Sequence, residues 1–296
     1  DNIPDTSGRC WKTKAQDEFG AESGWSSKRT LKKDTVAPTV DSFTVNGVSC
    51  EGEENCQKTE VATNSAITIT WTVSDTGGSG IEHYQVFQGT DTTEDGSPDS
   101  WKQISPNLSS DITSTTTDPG EGTYWYGIHV SDNAGNCITE KGERCPGDNG
   151  SDTVSRIVRG PIKVVVDKSP PTVSNIQHSP SNPSIFNEVT ITATASDSFT
   201  EIFLCQVSKD GGETWLDMTA SDEVYDELTE NVEKNIKTLN SGLKTVKVKC
   251  RDLVGNFSDE TTHTFTVFAP PVVSTDKALG ILGTQATLNG NLESDY

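Results

Sequence analysis

Three times along this chain a strand-like stretch runs into the same short turn, Asp-x-x-Gly, and continues into a second strand-like stretch. Such recurrence confines the chain to a series of similar units, each built from antiparallel strands. The first copy spans residues 10–33, with Asp17-Glu-Phe-Gly20 as its turn. In the second, residues 124–130 lead into Asp132-Asn-Ala-Gly-Asn136, and in the third, residues 245–250 lead into Asp252-Leu-Val-Gly-Asn256. An Asp at the head of a turn can accept hydrogen bonds from the turn's own amides, and Gly supplies the positive φ that the turn needs.

Linkers follow in the same order: Asp34-Thr-Val-Ala-Pro-Thr-Val40, Asp167-Lys-Ser-Pro-Pro-Thr-Val173 and Ala269-Pro-Pro-Val-Val273. After each of the two full linkers comes an alternating strand that ends in Asp, at residues 67–75 and 189–197. The period of two puts Ile67, Ile69, Trp71 and Val73 on one face and threonines on the other. A further short strand follows each, at residues 81–86 and 202–207. Thr, Ser, Val, Asp and Gly dominate the composition, and amphipathic stretches of helical period are scarce, so the fold class read here is all-β. The one helix expected is a short turn around residues 225–234.

Aligned on an immunoglobulin-type plan, each linker feeds strand A, residues 67–75 and 189–197 are strand B, residues 81–86 and 202–207 are strand C, and the aromatic-rich strands before the turns are strand F. The D-x-x-G-N turn, the D-x-x-x-P-T-V linker and this strand spacing resemble bacterial or archaeal Ig-like repeats of large cell-surface proteins. The final stretch, with Gln285-Ala-Thr-Leu-Asn-Gly-Asn-Leu292 as a strand B, resembles the start of a fibronectin type III domain. The resemblance implies tandem antiparallel sandwiches: residues 1–35 as the F and G strands of one module, 36–168 and 169–269 as whole modules, and 270–296 as the A and B strands of another. It implies a fold and an extracellular setting, not an activity. A chain that opens in a strand F and stops after a strand B reads as a window on a longer repetitive polypeptide.

The chain holds 44 acidic and 23 basic residues, a net charge of −21, which repels nucleic acid and anionic membranes. No apolar run of membrane-spanning length is present, so no direct membrane insertion is expected in this segment. Seven cysteines without a CxxC point to disulfides and an oxidising compartment rather than zinc. Cys205 on strand C and Cys250 on strand F share the core-facing phase of neighbouring strands and are expected to pair. Cys50 with Cys56, and Cys137 with Cys145, bracket short loops. Cys10 is left over, and its partner is expected upstream of the chain, the rival reading being a free or intermolecular thiol. The sequons at Asn107, Asn149 and Asn256 are candidate glycosylation sites.

In the Ig plan strands B and F end at the pole where strand A begins. Asp34, Asp75 and Asp132 should therefore converge, with Asn133 and Asn136 nearby, and Asp167, Asp197 and Asp252 should do the same, with Asn256 nearby. Three carboxylates with amide and backbone oxygens suit a hard cation such as Ca2+; this is similar to the solution cadherin-like repeats use between modules. The alternative is that each Asp merely caps its own turn. Residues 88–99 and 217–233 are acidic loops without a base, either solvated insertions or partner-binding edges. Trp125, out of phase with Tyr124 and Tyr126, either stacks on a sugar or covers the sheet.

His83, His129, His178 and His263 sit at no catalytic or ligand spacing, and no nucleophile elbow, P-loop or H-E-x-x-H is present. The expected role is therefore non-catalytic: a structural segment of a secreted surface protein, stalk, sheath or filament, partnered by neighbouring modules or copies of the same protein. The alternatives are an adhesion module that binds a protein or glycan through residues 137–156 or 217–233, and ancillary modules of a larger secreted hydrolase.

Overall fold

The computed structural model describes residues 8–49, 60–137, 159–276, 279–282, 285–287 and 290–294. The chain divides into two compact units at Asp167/Lys168. Every regular element among the described residues is a strand.

Within the first unit, β1 (Gly8–Trp11) and β2 (Arg29–Lys32) pair as a two-stranded ribbon. The main body follows as β3 (Thr39–Val45), β4 (Val48–Ser49), β5 (Glu60–Thr63), β6 (Ile67–Ser74), β7 (Ile81–Thr90), β8 (Ser100–Gln103), β9 (Leu108–Ser109), β10 (Ser114–Thr117), β11 (Gly122–Asp132) and β12 (Arg159–Val166). One sheet has the order β10-β6-β3-β4; the other runs β5-β12-β11-β7-β8, with β9 added on β7. The alternation in β6 is realised as read: Ile67, Ile69 and Trp71 are buried, and their intervening threonines face outward. There Thr70 pairs with Thr44 and Thr72 with Ser42, both at 2.6 Å between hydroxyls, which ties β6 to β3 on the wet side. Phe43, Trp71, Val86, Tyr126, Ile128 and Ile162 fill the space between the sheets, with Trp71 edge-on to Tyr84 at 5.5 Å.

The second unit repeats the plan: β13 (Thr172–Ser179), β14 (Thr190–Ser196), β15 (Ile202–Ser208), β16 (Leu216–Asp217), β17 (Thr219–Ala220), β18 (Thr229–Asn235), β19 (Gly242–Asp252) and β20 (Thr261–Val267). Its sheets are ordered β13-β14-β18-β17 and β16-β15-β19-β20. Two antiparallel sheets with this order, in which β19 lies between β15 and the last strand β20, are the immunoglobulin-like sandwich. The chain is thus a tandem of all-β, Ig-like/fibronectin III-like modules. Four short strands follow: β21 (Val272–Thr275), β22 (Leu279–Leu282), β23 (Gln285–Thr287) and β24 (Gly290–Ser294), with β21 on β24 and β22 on β23. The stretch read as one strand, 285–292, therefore holds parts of two.

One expectation is corrected, and one open alternative is decided. The helix expected around residues 225–234 is absent, because Thr229–Asn235 is β18, paired along its length with β14. Its alternation was hidden by Glu230, which is buried and accepts from the amides of Asp226 and Glu227 at 3.0 and 3.1 Å. Trp125 is buried at 4% exposure and offers no ring face to a sugar. Phe87, His129 and Val165, on the same outward side of the sheet, are buried as well, so this sheet is covered on both faces.

Cys205 and Cys250 form the expected disulfide, 45 residues apart in sequence and directly opposite one another. Neither backbone amide is spent on the other strand at this rung. Cys205 N donates to Tyr225 Oη (3.3 Å) and Cys250 N to Ser258 Oγ (2.9 Å). The pair is therefore a non-hydrogen-bonded one, where facing side chains come closest. Cys137 is disulfide-bonded. Its expected partner Cys145, and both Cys50 and Cys56, lie outside the described residues. Cys10 carries a free, exposed thiol beside Thr30.

Replacing both Cys205 and Cys250 by Ala should lower the unfolding free energy by about 4 kcal/mol, the chain-entropy value for a loop of this length. Urea unfolding of the parent chain and the double variant side by side, both without reductant, checks it.

Candidate functional site

The pole at which β6 and β11 end gathers carboxylates held by backbone amides. Asp132 closes β11 and is wholly buried. Its Oδ1 accepts from the amides of Ala134 and Asn136, both at 2.8 Å, and Gly135 N returns to Asp132 O at 3.1 Å. Gly135 has φ +80°, which a residue with a Cβ adopts only with strain. The same turn recurs at Asp252, whose Oδ1 takes the amides of Gly255 (2.7 Å) and Asn256 (2.8 Å), and at Asp17, whose Oδ1 takes those of Phe19 (3.0 Å) and Ala21 (2.8 Å). The turn-capping role of the repeat's Asp is thus present in all three copies.

Asp75, just past β6, caps the turn into β7 through Gly77 N (2.9 Å) and Gly80 N (2.6 Å). Asp34, from the linker, accepts from Val36 N at 3.0 Å and reaches across to Ser79 N at 2.8 Å. Its fit is tight: a Cβ on Gly77 would lie 1.9 Å from Asp34 Oδ1. Burial works against charge on Asp34, but hydrogen bonds from Ser79 and Val36 outweigh it and hold the carboxyl below its ordinary range. Carboxylate oxygens of Asp34, Asp75 and Asp132 all lie within 4.8 Å of one another. In the second unit Asp252 likewise ends its strand, β19, and Asp197 follows directly on β14. Asp167 and Asp252 are wholly buried, and Asp197 Oδ2 is buried with no hydrogen-bond partner.

The asparagines stand differently from expectation. Asn136 turns its nitrogen, not its carbonyl oxygen, inward: Nδ2 donates to Asp132 Oδ2 (2.8 Å) and to the Asp34 carbonyl (3.2 Å). Asn256 repeats this with Asp252 Oδ2 (2.7 Å) and Ser169 O (3.3 Å), so the amide nitrogen a glycan would need is already engaged twice. Asn133 Nδ2 donates to the carbonyls of Ser79 and Gly80, both at 3.0 Å, and staples the two turns together. Asn107 is exposed and held through its Oδ1 by Gln85 Nε2 at 2.8 Å. Asn149 lies outside the described residues, as does all of the 137–156 loop except Cys137.

The acidic stretch between β7 and β8 folds on itself. Asp91 accepts from Thr93, Asp95 and Gly96 amides, and Asp99 from Thr92 N and Oγ1. A feature that sequence reasoning missed lies between β15 and β16. Asp210 Oδ1 accepts from Thr214 N (2.9 Å) and Ser208 Oγ (2.7 Å), and Trp215 Nε1 donates to Gly212 O (3.1 Å). The Thr214 hydroxyl, which donates to Asp210 Oδ2, depresses the Asp210 pKa strongly, with Thr214 N and Ser208 Oγ adding to it.

No family model and no curated protein matches the chain. Among solved structures it is similar to the fibronectin(III)-like modules of Clostridium thermocellum CbhA, at 16% identity over 77% of this chain and 94% of that one, TM-score 0.31. It is also similar to the FN1–FN3 domains of chicken CNTN1, at 11% identity over 87% and 74%, TM-score 0.33. A further similarity is to the eight N-terminal Ig domains of DSCAM isoform 1.30.30, at 13% identity over 92% and 28%, TM-score 0.33.

Truncating Asp132 to Ala strands the amides of Ala134 and Asn136 and should cost the first unit about 3 kcal/mol. Asp132→Asn, which keeps an acceptor oxygen for those amides, should cost less. Chemical denaturation of the two variants side by side measures both.

Proposed function

We propose that the chain is a non-catalytic structural segment of a secreted surface protein, in which the carboxylate group at the pole of a module takes up Ca2+. The observation that carries this is the group Asp34, Asp75 and Asp132: three carboxylates from a linker, a strand end and a turn, drawn within 4.8 Å of one another. Each is fixed by backbone amides before any ligand arrives, so the site is preorganised. Like charges at this separation repel. A hard divalent cation relieves that repulsion and is coordinated by oxygen alone, which matches the donor set.

The non-catalytic part rests on how the carboxylates are used. Asp17, Asp132 and Asp252 hold turns through backbone amides, which is architectural work. The extracellular setting is supported by the Cys205–Cys250 disulfide and the Ig-like fold. In such a setting the modules serve as spacers in a longer array, their partners being neighbouring modules or copies of the same protein.

Calorimetry of the full chain with Ca2+ and with chelator tests the cation reading. At a concentration one hundredfold above Kd the gain is about 2.7 kcal/mol, which should raise the melting temperature by about 5–10 °C. Gly77→Ala, which drives a methyl into the Asp34 carboxylate, should abolish that rise for the first unit. Superimposable melts with Ca2+ and chelator would overturn it. Electron microscopy of the native protein tests the spacer reading: linear arrays of uniform width are expected, and isolated compact particles would count against it.

A further inference from the structure

The two units use the same sheet face in opposite ways. In the first, the outward face around β11 is closed over Phe87, Trp125, His129 and Val165. In the second, the outward face of β19 carries Lys247, Lys249 and Arg251 at alternate positions, each partly exposed. Three aromatic rings from three separate segments interleave with them. Lys249 Nζ stands 4.0 Å from the centroid of Trp215 and 5.7 Å from that of Phe257. Arg251 Cζ stands 4.5 Å from Phe203 and 5.8 Å from Phe257.

Two carboxylates on this side of the unit are engaged by other groups. Glu260 takes Lys247 at 2.8 Å, and Asp217 accepts from Gln206 Nε2 at 2.7 Å. Among the described residues no ion pair joins Lys249 or Arg251 to a carboxylate, and Arg251 Nε is buried without an acceptor. In a chain with 44 acidic and 23 basic residues, three cations alternating along one strand run against the prevailing charge. Phe203 and Phe257 remain 48% and 55% exposed, so much of each ring stays open to a ligand.

We propose that this face of the second unit binds a carboxylate-bearing polysaccharide. An anion alone gives no use for the half-exposed phenylalanines, and an apolar partner gives none for the unpaired cations. A sugar acid uses both, because its ring C–H faces stack on aromatic rings while its carboxylates meet guanidinium and ammonium donors. The cation–π contacts hold Lys249 and Arg251 against the sheet and lower the entropy lost on binding. The inference is independent of the calcium reading.

The test uses the full chain in chelator, so that the carboxylate groups at the pole play no part, with oligogalacturonate as the probe and intrinsic Trp fluorescence and calorimetry as readouts. Binding at low salt that weakens at high salt is expected, with no binding of neutral dextran. Lys249→Gln with Arg251→Gln should weaken it at least about tenfold, as expected when hydrogen bonds to charged groups are lost, with the melting temperature unchanged. Phe257→Ser, at an exposed ring, should weaken it separately. Absence of binding, or unchanged affinity in the Gln variants, would overturn the proposal. Equal affinity for polyglutamate would mark a protein-docking face instead. Self-association of the chain that disappears in the Gln variants would assign the face to a second copy.

Discussion

A buried carboxylate that accepts the amides of its own turn sets the geometry on which the rest of each unit depends. Asp132 and Asp252 sit at the ends of β11 and β19, where the chain must reverse without losing the ladder. By taking the turn amides they fix the shape of a reversal whose own residues lie toward the surface. Each also fixes the Asn four residues on, whose Nδ2 reaches the incoming linker at Asp34 O or Ser169 O. Linker, strand end and turn are thus tied through one side chain. The cost is a concentration of negative charge at that pole, which the fold tolerates because the carboxylates are solvated by amide dipoles rather than by water.

Much of this was legible in advance. The period of two in 67–75 and 189–197 marked the inner strands, because Ile and Trp alternating with Thr leave little choice of face. The core-facing phase of Cys205 and Cys250 was enough to place the disulfide. The convergence of Asp34, Asp75 and Asp132 followed from strand order alone, since strand ends of one plan share a pole. What periodicity could not show was a strand whose inward position is Glu230, because an apolar pattern says nothing of a carboxylate satisfied by two local amides. Nor could it show which end of Asn136 or Asn256 faces the cluster, since that depends on neighbouring lone pairs. The interleaving of Lys249 and Arg251 with rings was equally hidden: the cations alternate visibly in one strand, but the rings arrive from positions 203, 215 and 257.

The same plan tolerates two unlike surfaces. Around β11 the outward positions are apolar or, as with His129 and Gln85, joined by a 3.1 Å hydrogen bond that makes their burial affordable. Around β19 the outward positions are cations resting on rings. The inner face is constrained by packing against the opposite sheet; the outer face is free to diverge, and it is there that two modules of one chain acquire different chemistry.

One pairing bears on how such a segment would carry tension. In the first unit β5, near the entry of the chain, runs parallel to β12, at its exit, over four successive rungs from Lys163↔Glu60 to Val166↔Thr63. Traction applied to the two ends pulls these strands past one another, so their hydrogen bonds share the load and must fail together. In the second unit the equivalent contact is one parallel bridge, Ser184↔Phe268, with hydrogen bonds at Ile185 and Phe268. The first unit therefore has the longer shear-loaded pairing, and the second the shorter one.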